Sequence, residues 1–166
     1  MIHSSVRRWG GLVVVLCLVG CGGPRAYDVQ VTRDASLADT SIAVDVVGAG
    51  TSLTETLSQV RVSEYFAPGN RLRAGVERKT LRFVDDGEQV QVLERNDPIW
   101  DTWMDQGATH LVVMANLLGD FEDRAGSADD RRLVLPLARD RWRGREIGIT
   151  VREGFLDLTT RMRGDD

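Results

Sequence analysis

The stretch Thr109-His-Leu-Val-Val-Met-Ala-Asn-Leu-Leu118 decides the fold of this chain. Nearly every residue in it is apolar, and it is too short to be a long buried helix. Such a run is typical of a central β-strand that is covered on both faces. We therefore expect the other strands of the domain to be arranged around residues 109–118.

Alternating apolar and polar residues predict further strands on both sides of this run. The alternation occurs at residues 27–32, 42–46, 79–84, 89–93, 133–137, 147–151 and 155–160. The turn residues Asp85-Asp86-Gly87-Glu88 predict a hairpin, and Pro136 places its strand at a sheet edge. Seven or eight short strands predict a mainly β protein, a two-sheet antiparallel β-sandwich with one or two short helices.

Two helices are predicted between the strands. Asp97 can cap a helix that has Pro98 at its first position and ends at Gly107, with an apolar face of Ile99, Trp100, Trp103 and Met104. Ser52 and Glu55 have the spacing of a capping box, followed by Leu53, Leu57 and Val60. The segment Val60-Arg61-Val62 could equally begin a strand.

The N-terminus has the pattern of a lipoprotein signal peptide. Leu18-Val19-Gly20-Cys21 follows Arg7-Arg8 and the apolar run 10–19. It resembles the bacterial lipobox, which implies recognition of Leu18, Val19 and Gly20, cleavage before Cys21 and a covalent lipid on the Cys21 thiol. Glycine rather than aspartate at position 22 implies the outer membrane, on its periplasmic face.

Two other interpretations of the N-terminus fit less well. A membrane-spanning helix needs about 20 apolar residues, and this run is about half that length. Twin-arginine export would start from Arg7-Arg8, but Trp9-Gly10-Gly11 does not match that motif. We therefore divide the chain into a signal peptide (1–20), a short tether (21–26), one domain (27–162) and a frayed tail (163–166). Cys17 leaves with the signal peptide, so Cys21 has no disulfide partner.

The charge balance bears on the partners of the mature chain. Removing residues 1–20, which carry Arg7 and Arg8, changes the formal net charge from −4 to −6. A negative chain does not favour nucleic acid or an anionic bilayer. We expect contact with the membrane through the lipid anchor, a protein partner in the envelope, and no cofactor besides the lipid.

No catalytic or metal site is predicted. His110 is the single histidine after processing, no G-x-S-x-G motif occurs, and a zinc site lacks ligands. Asp97 and Asp101 could form a glycosidase pair, but helix capping explains Asp97 more simply. The Trp100/Trp103 pair fits a core better than a sugar platform.

The loop 119–130 is the candidate docking surface, because connections of this length are often functional. Its candidate residues are Asp120, Phe121, Glu122, Asp123, Asp129 and Asp130. Calcium binding is the first alternative, although the spacing of an EF-hand is absent. A solvated loop balanced by Arg124, Arg131 and Arg132 is the default interpretation.

The lipobox, the short tether and the order of strands in the second half resemble the outer-membrane lipoprotein family of type VI secretion systems. The strands concerned are 111–116, 133–137, 147–151 and 155–158; the helix at 97–106 and the segment 52–73 depart from the family pattern. The resemblance implies a sandwich whose loops bind the periplasmic end of an inner-membrane partner. We therefore expect a non-catalytic anchor. The alternative is an outer-membrane lipoprotein that binds a glycan or a small apolar ligand.

Overall fold

The computed structural model describes residues 22–85, 87–117, 119, 124 and 128–164, which form two packed four-stranded sheets. The strands are β1 (Asp28–Arg33), β2 (Ile42–Ala49), β3 (Lys79–Phe83), β4 (Val90–Leu93), β5 (His110–Asn116), β6 (Arg132–Pro136), β7 (Glu146–Arg152) and β8 (Phe155–Leu158). The first sheet has the order β4-β1-β7-β8 and the second β3-β2-β5-β6. The predicted mainly β sandwich is confirmed.

The strand β5 occupies the position that its sequence predicts. It lies between β2 and β6, and its residues from Leu111 to Ala115 are buried without interruption. Leu111, Val113 and Ala115 belong to the core between the sheets. Val112 and Met114 belong to a second apolar cluster on the outer face, beneath the helices. Both faces of β5 are therefore covered, which explains why its sequence does not alternate.

The prediction that all pairs of strands are antiparallel is wrong for β1 and β7. These strands run parallel, with Val31 opposite Ile149, and β1 lies between β4 and β7. A parallel pair needs a long crossover connection, and the whole second sheet with its helices provides it here. Pro136 lies at the end of β6, which is the predicted edge strand.

The predicted hairpin between β3 and β4 is also wrong, because the two strands belong to different sheets. The turn at residues 84–89 carries the chain across the sandwich, and β4 then pairs with β1, with Gln91 opposite Val31. The guanidinium of Arg33 lies at this crossing and binds the backbone carbonyl oxygens of Val84 and Gly87. Turn residues alone do not show which sheet the next strand joins.

Helices α1 (Thr51–Gln59), α2 (Val62–Phe66) and α3 (Arg71–Gly75) cover the outer face of the second sheet, and α4 (Ile99–Asp105) leads into β5. Helix α1 is confirmed, but Gly50 is its N-cap and no side chain caps it, so the capping box at Ser52 is wrong. The segment 62–66 is helical and does not begin a strand.

Helix α4 ends before Gly107 as predicted, but it begins one residue later than predicted, because Pro98 is its N-cap and Ile99 its first residue. The Asp97 carboxylate accepts a hydrogen bond from the Ile99 N–H at 3.0 Å, and Gly107 follows the helix with a φ of 77°. A positive φ favours glycine, which explains why the helix stops there.

A buried carboxylate attaches the helical layer to β2. Asp45 is fully buried; Thr80 Oγ1 donates to Oδ1 at 2.7 Å, and Arg73 Nε and Tyr65 OH donate to Oδ2 at 2.8 and 3.2 Å. Arg78 Nε forms an ion pair with Oδ2 at 3.3 Å. Burial raises the pKa of Tyr65, and the Asp45 charge adds to this effect. Removing one partner of such a buried pair costs about 3–5 kcal/mol.

All the strands and helices listed above, and both apolar clusters, lie within the described part of residues 22–164. Residues 22–166 therefore contain all eight described strands and both apolar clusters. No helix in the described ranges has the length and apolar character needed to cross a bilayer.

Replacing Gly48 with alanine should destabilise the sandwich. A Cβ atom at position 48 would lie 2.4 Å from Trp103 Cγ. Trp103 cannot move aside, because it is fully buried and its Nε1 donates to the Glu77 carbonyl at 2.9 Å. Overpacking of this kind costs about 1–3 kcal/mol, which urea unfolding would detect.

Gly75→Ala is the matched control, since a Cβ there meets no atom within 4 Å. Equal unfolding midpoints for the Gly48 and Gly75 variants would contradict this account of the contact between β2 and α4.

Candidate functional site

The sandwich has two ends that differ in composition. The end where β1 and β7 begin is called the proximal end, and it includes segments 22–27, 94–98, 137–146 and 159–164. The opposite end is called the distal end. Strand directions and pairings place there the strand ends that flank four connections, at residues 34–41, 84–89, 117–131 and 153–154.

The N-terminal segment lies against the proximal end. Pro24 forms an isolated β-bridge with Ala138, and the Arg25 N–H donates to the Leu137 carbonyl at 3.1 Å. Beneath them the Tyr27 and Trp142 rings meet edge to face, with centroids 6.0 Å apart. The residues predicted to be a tether therefore contact the domain from Gly22 onward.

Arg33 organises the distal end from within. Only 2% of this residue is exposed. Its Nη1 donates to the carbonyl oxygens of Thr40 and Val84 at 3.0 and 2.9 Å, and its Nη2 donates to that of Gly87 at 3.3 Å. Its Nε donates to Gln89 Oε1 at 3.1 Å. One buried cation therefore joins the β1–β2 connection to the β3–β4 connection.

The loop predicted to be a docking surface ends in a buried ion pair. Arg131 Nε and Nη2 donate to the two oxygens of the Asp129 carboxylate at 3.0 and 2.8 Å. Asp129 is 2% exposed, so it stabilises the end of the loop and cannot present its charge to a partner. Asp130 is exposed, and its carbonyl accepts the Leu156 N–H at 2.8 Å. Asp120, Phe121, Glu122 and Asp123 lie outside the described residues.

The β7–β8 turn is tied to the β1–β2 connection by Arg152. Its Nε donates to Asp157 at 2.9 Å, and its Nη1 lies 3.4 Å from Asp34 Oδ2. The Asp34 carboxylate also accepts the Ser36 N–H at 3.0 Å. This hydrogen bond, with a smaller contribution from the Arg152 charge, lowers the pKa of Asp34, so the carboxylate is ionised at neutral pH.

The exposed side chains of the distal end are mainly acidic. We define the distal acidic surface by the exposed carboxylates Asp39, Asp85, Glu88, Asp130 and Glu153. Two large apolar side chains lie among them, Val84 (57% exposed) and Phe155 (40% exposed). The exposed cations Arg82 and Arg124 lie near it and reduce the net charge. A surface with this composition can bind a basic partner that carries an apolar side chain.

The residues considered for an active site have neighbouring partners in the structure. The Lys79 ammonium lies 2.6 Å from Asp97 Oδ2 and, together with the Ile99 N–H, lowers the pKa of Asp97. His110 Nδ1 contacts the Thr109 hydroxyl at 3.0 Å. Within the described ranges, no group of three or more His, Cys, Asp or Glu side chains could hold a metal ion.

The tryptophan pair provides no sugar-binding platform. Trp100 and Trp103 are buried, with exposures of 2% and 0%, and their rings pack edge to face 5.0 Å apart. Their Nε1 groups donate to the carbonyl oxygens of Glu94 and Glu77. A nearby cleft of 390 Å³ lies between α1 and α3, and its lining, which includes Leu53, Leu72 and Gln106, contains neither tryptophan.

Leu18, Val19, Gly20 and Cys21 lie outside the described residues, and lipid attachment at Cys21 stays a prediction. The structural roles of Asp45 and Arg33 were not predicted. Asp45 is the single charged residue of Ile42–Ala49, and Arg33 is the last residue of Asp28–Arg33. A charged residue in a predicted strand can be seen in the sequence, but the sequence does not identify the partner of that charge.

Comparison with known proteins supports the fold assignment. No family model matches the chain, and no curated protein matches it. Its structure is similar to Serratia marcescens Lip, a membrane-bound component of the type VI secretion system, at 12% sequence identity and a TM-score of 0.51. The similarity covers 83% of this chain and 99% of Lip.

Two further structures show the same similarity. One is the type VI secretion lipoprotein TssJ1 from Pseudomonas aeruginosa, at 13% identity and a TM-score of 0.50, with 83% of this chain and 97% of that chain covered. The other is a chain of a type VI membrane complex, at 16% identity and 0.50, with 81% and 98% covered. The predicted resemblance to this lipoprotein family is therefore confirmed as a shared fold.

Replacing Arg33 with methionine should loosen the distal end. The change leaves the carbonyl groups of Thr40, Val84 and Gly87 without their buried donor, which costs about 1–3 kcal/mol. We expect faster amide hydrogen exchange in residues 34–41 and 84–89 than in the parent chain.

Arg82→Met is the control, because Arg82 is exposed on β3 and its replacement should change the stability by less than about 0.5 kcal/mol. If both variants exchanged at the same rate in these two connections, Arg33 would not hold them together.

Proposed function

We propose that the protein is a non-catalytic, lipid-anchored envelope lipoprotein that docks a protein partner through its distal acidic surface. The observation that carries the proposal is the separation of the two ends. The described chain begins with Gly22 at the proximal end, whereas the exposed carboxylates lie at the opposite end of the strands. One end is thus placed for anchoring and the other for binding.

The anchoring half of the proposal rests on the lipobox and on the position of Gly22. Gly22 follows Cys21 directly, and consecutive Cα atoms are about 3.8 Å apart. Gly22 lies against Arg139 at the proximal end. A lipid on Cys21 would therefore hold this end of the sandwich directly on the membrane, and Gly22 favours the periplasmic face of the outer membrane.

The docking half rests on the construction of the distal end. Arg33, the Asp129–Arg131 pair and Arg152 hold its connections by buried or partly buried hydrogen bonds. Binding through the residues that these bonds hold then costs little ordering entropy. Strand β1 has 6 residues, which gives the surface a height of about 20 Å above the proximal end.

The similar structures suggest where such a lipoprotein works. Lip and TssJ1 are components of type VI secretion systems by their descriptions, and a third similar chain comes from a type VI membrane complex. We infer that this chain serves a secretion assembly of the same type, with an envelope protein as its partner. The rival hypothesis of a glycan site loses its main support, because Trp100 and Trp103 are buried.

Replacing Cys21 with alanine should abolish lipid attachment, because the thiol is the acceptor. In cells supplied with labelled palmitate, we expect label on the parent protein and none on Cys21→Ala. Cys17→Ala is the matched control and should retain the label, since Cys17 lies within the predicted signal peptide. Label on Cys21→Ala, or its absence from the parent protein, would contradict the anchor.

A photoreactive amino acid at Asp85 or Asp130 should crosslink one envelope protein in intact cells. The same group at Glu55 or Glu64, exposed on the helical layer, should not. Charge reversal at Asp39, Asp85 and Glu88 should weaken the crosslink from Asp130, because it repels a basic partner. Crosslinks of equal strength from the helical layer would contradict docking at the distal end.

A further inference from the structure

Arginine is concentrated at the proximal end, although the mature chain is acidic. In the segment 138–146, arginine occupies every second position from 139 to 145, and all of these residues are exposed. Arg161 and Arg163 are exposed on the neighbouring C-terminal segment. We call the set the proximal arginines: Arg139, Arg141, Arg143, Arg145, Arg161 and Arg163. The exposed carboxylates between them are those of Asp140 and Glu146, so cations predominate in these segments.

A buried tryptophan and backbone hydrogen bonds hold the backbone that carries these arginines. Trp142 is fully buried, and its Nε1 donates to the Pro136 carbonyl at 2.7 Å. Trp142 also pairs with Met162 in an isolated bridge, and the Arg163 N–H donates to the Arg141 carbonyl at 2.9 Å. The segments 138–146 and 160–163 therefore form one surface, with the charged side chains outside and the indole inside.

The start of the described chain places this surface beside the predicted lipid. A Cβ atom built on Gly22 would lie 3.2 Å from the Cβ of Arg139, and Arg25 Nη2 donates to the Gly144 carbonyl. Cys21 is bonded directly to Gly22. A membrane that holds acyl chains attached to Cys21 would therefore face the proximal arginines.

We propose that the proximal arginines bind the headgroups of anionic phospholipids in the membrane that holds the Cys21 lipid. The position of that membrane rests on the anchor in the proposed function. Guanidinium groups form paired hydrogen bonds with phosphate oxygens, and each basic residue near an anionic surface strengthens binding about fivefold. The carboxylates of Asp165 and Asp166, which follow in the sequence, oppose this attraction in part.

The net charge alone does not predict whether the protein binds an anionic bilayer. A formal charge of −6 argues against an anionic bilayer if the charges are spread evenly. Here the proximal arginines are concentrated on two adjacent segments beside Gly22, so the surface next to the predicted lipid is locally cationic although the whole chain is acidic. Screening over about 8 Å at physiological salt lets the membrane interact with this surface alone. The arginines then keep the distal acidic surface directed away from the bilayer.

Vesicle binding by residues 22–166, which contain all eight described strands and lack Cys21, tests the proposal. We expect sedimentation with vesicles of phosphatidylcholine and phosphatidylglycerol but not with phosphatidylcholine alone, and a loss of binding as salt rises. The double variant R139Q/R141Q should bind about 25-fold more weakly. R61Q/R82Q changes the net charge equally at exposed positions elsewhere and should bind like the parent.

Equal binding to both kinds of vesicle would overturn the proposal, and so would an equal loss in R61Q/R82Q, which would show a dependence on net charge alone. Circular dichroism verifies that each variant is folded. Because the protein tested has neither the lipid nor a partner, a negative result leaves the palmitate and crosslinking tests of the proposed function unaffected. Likewise, failure of the palmitate or crosslinking test would not change the vesicle-binding result.

Discussion

The parallel pairing of β1 with β7 fixes which chain segments lie at each end of the sandwich. Because both strands begin at the same end, the N-terminal segment and the arginine-rich segment before β7 must lie side by side. The same pairing sends the connection after β1 to the opposite end. An antiparallel β1 would place the N-terminus next to the carboxylates, and the molecule would have no separate anchoring and binding ends.

Buried charges hold this arrangement together at places that apolar packing does not reach. Asp45 joins the helices to the second sheet, and Arg33 joins two distal connections. The Asp129–Arg131 pair closes the end of the long loop. Each of these groups has its hydrogen bonds supplied by the protein, which compensates the loss of hydration.

The sequence predicts the strands well, because alternation and apolar runs follow directly from which faces are buried. β5 and the helix α4 are clear cases, since a continuous apolar run and a cap with a terminal glycine each have one simple explanation. The sequence cannot predict that β3 and β4 separate into two sheets, because the turn 84–89 has the composition of a hairpin. The direction of β1 relative to β7 depends on contacts between residues more than a hundred positions apart.

The candidate site was predicted in part. Loop 119–130 does lead to the distal end, and Asp130 is exposed there, but burial of Asp129 depends on a tertiary pair with Arg131. The other connections of the distal end could not be grouped with it, since they meet only through the fold. The alternating arginines from 139 to 145 were visible in the sequence. Their importance depends on Gly22 lying beside them, which no local pattern shows.

The orientation of the lipidated protein on a bilayer shows whether the proximal end faces the membrane. A fluorescent label is attached through a cysteine at Gly144 or at Asp85, and its quenching by a headgroup-located quencher is measured in vesicles that contain phosphatidylglycerol. We expect strong quenching at position 144 and little at position 85, because β1 separates the two ends by about 20 Å. Equal quenching at the two positions, or stronger quenching at position 85, would contradict this orientation.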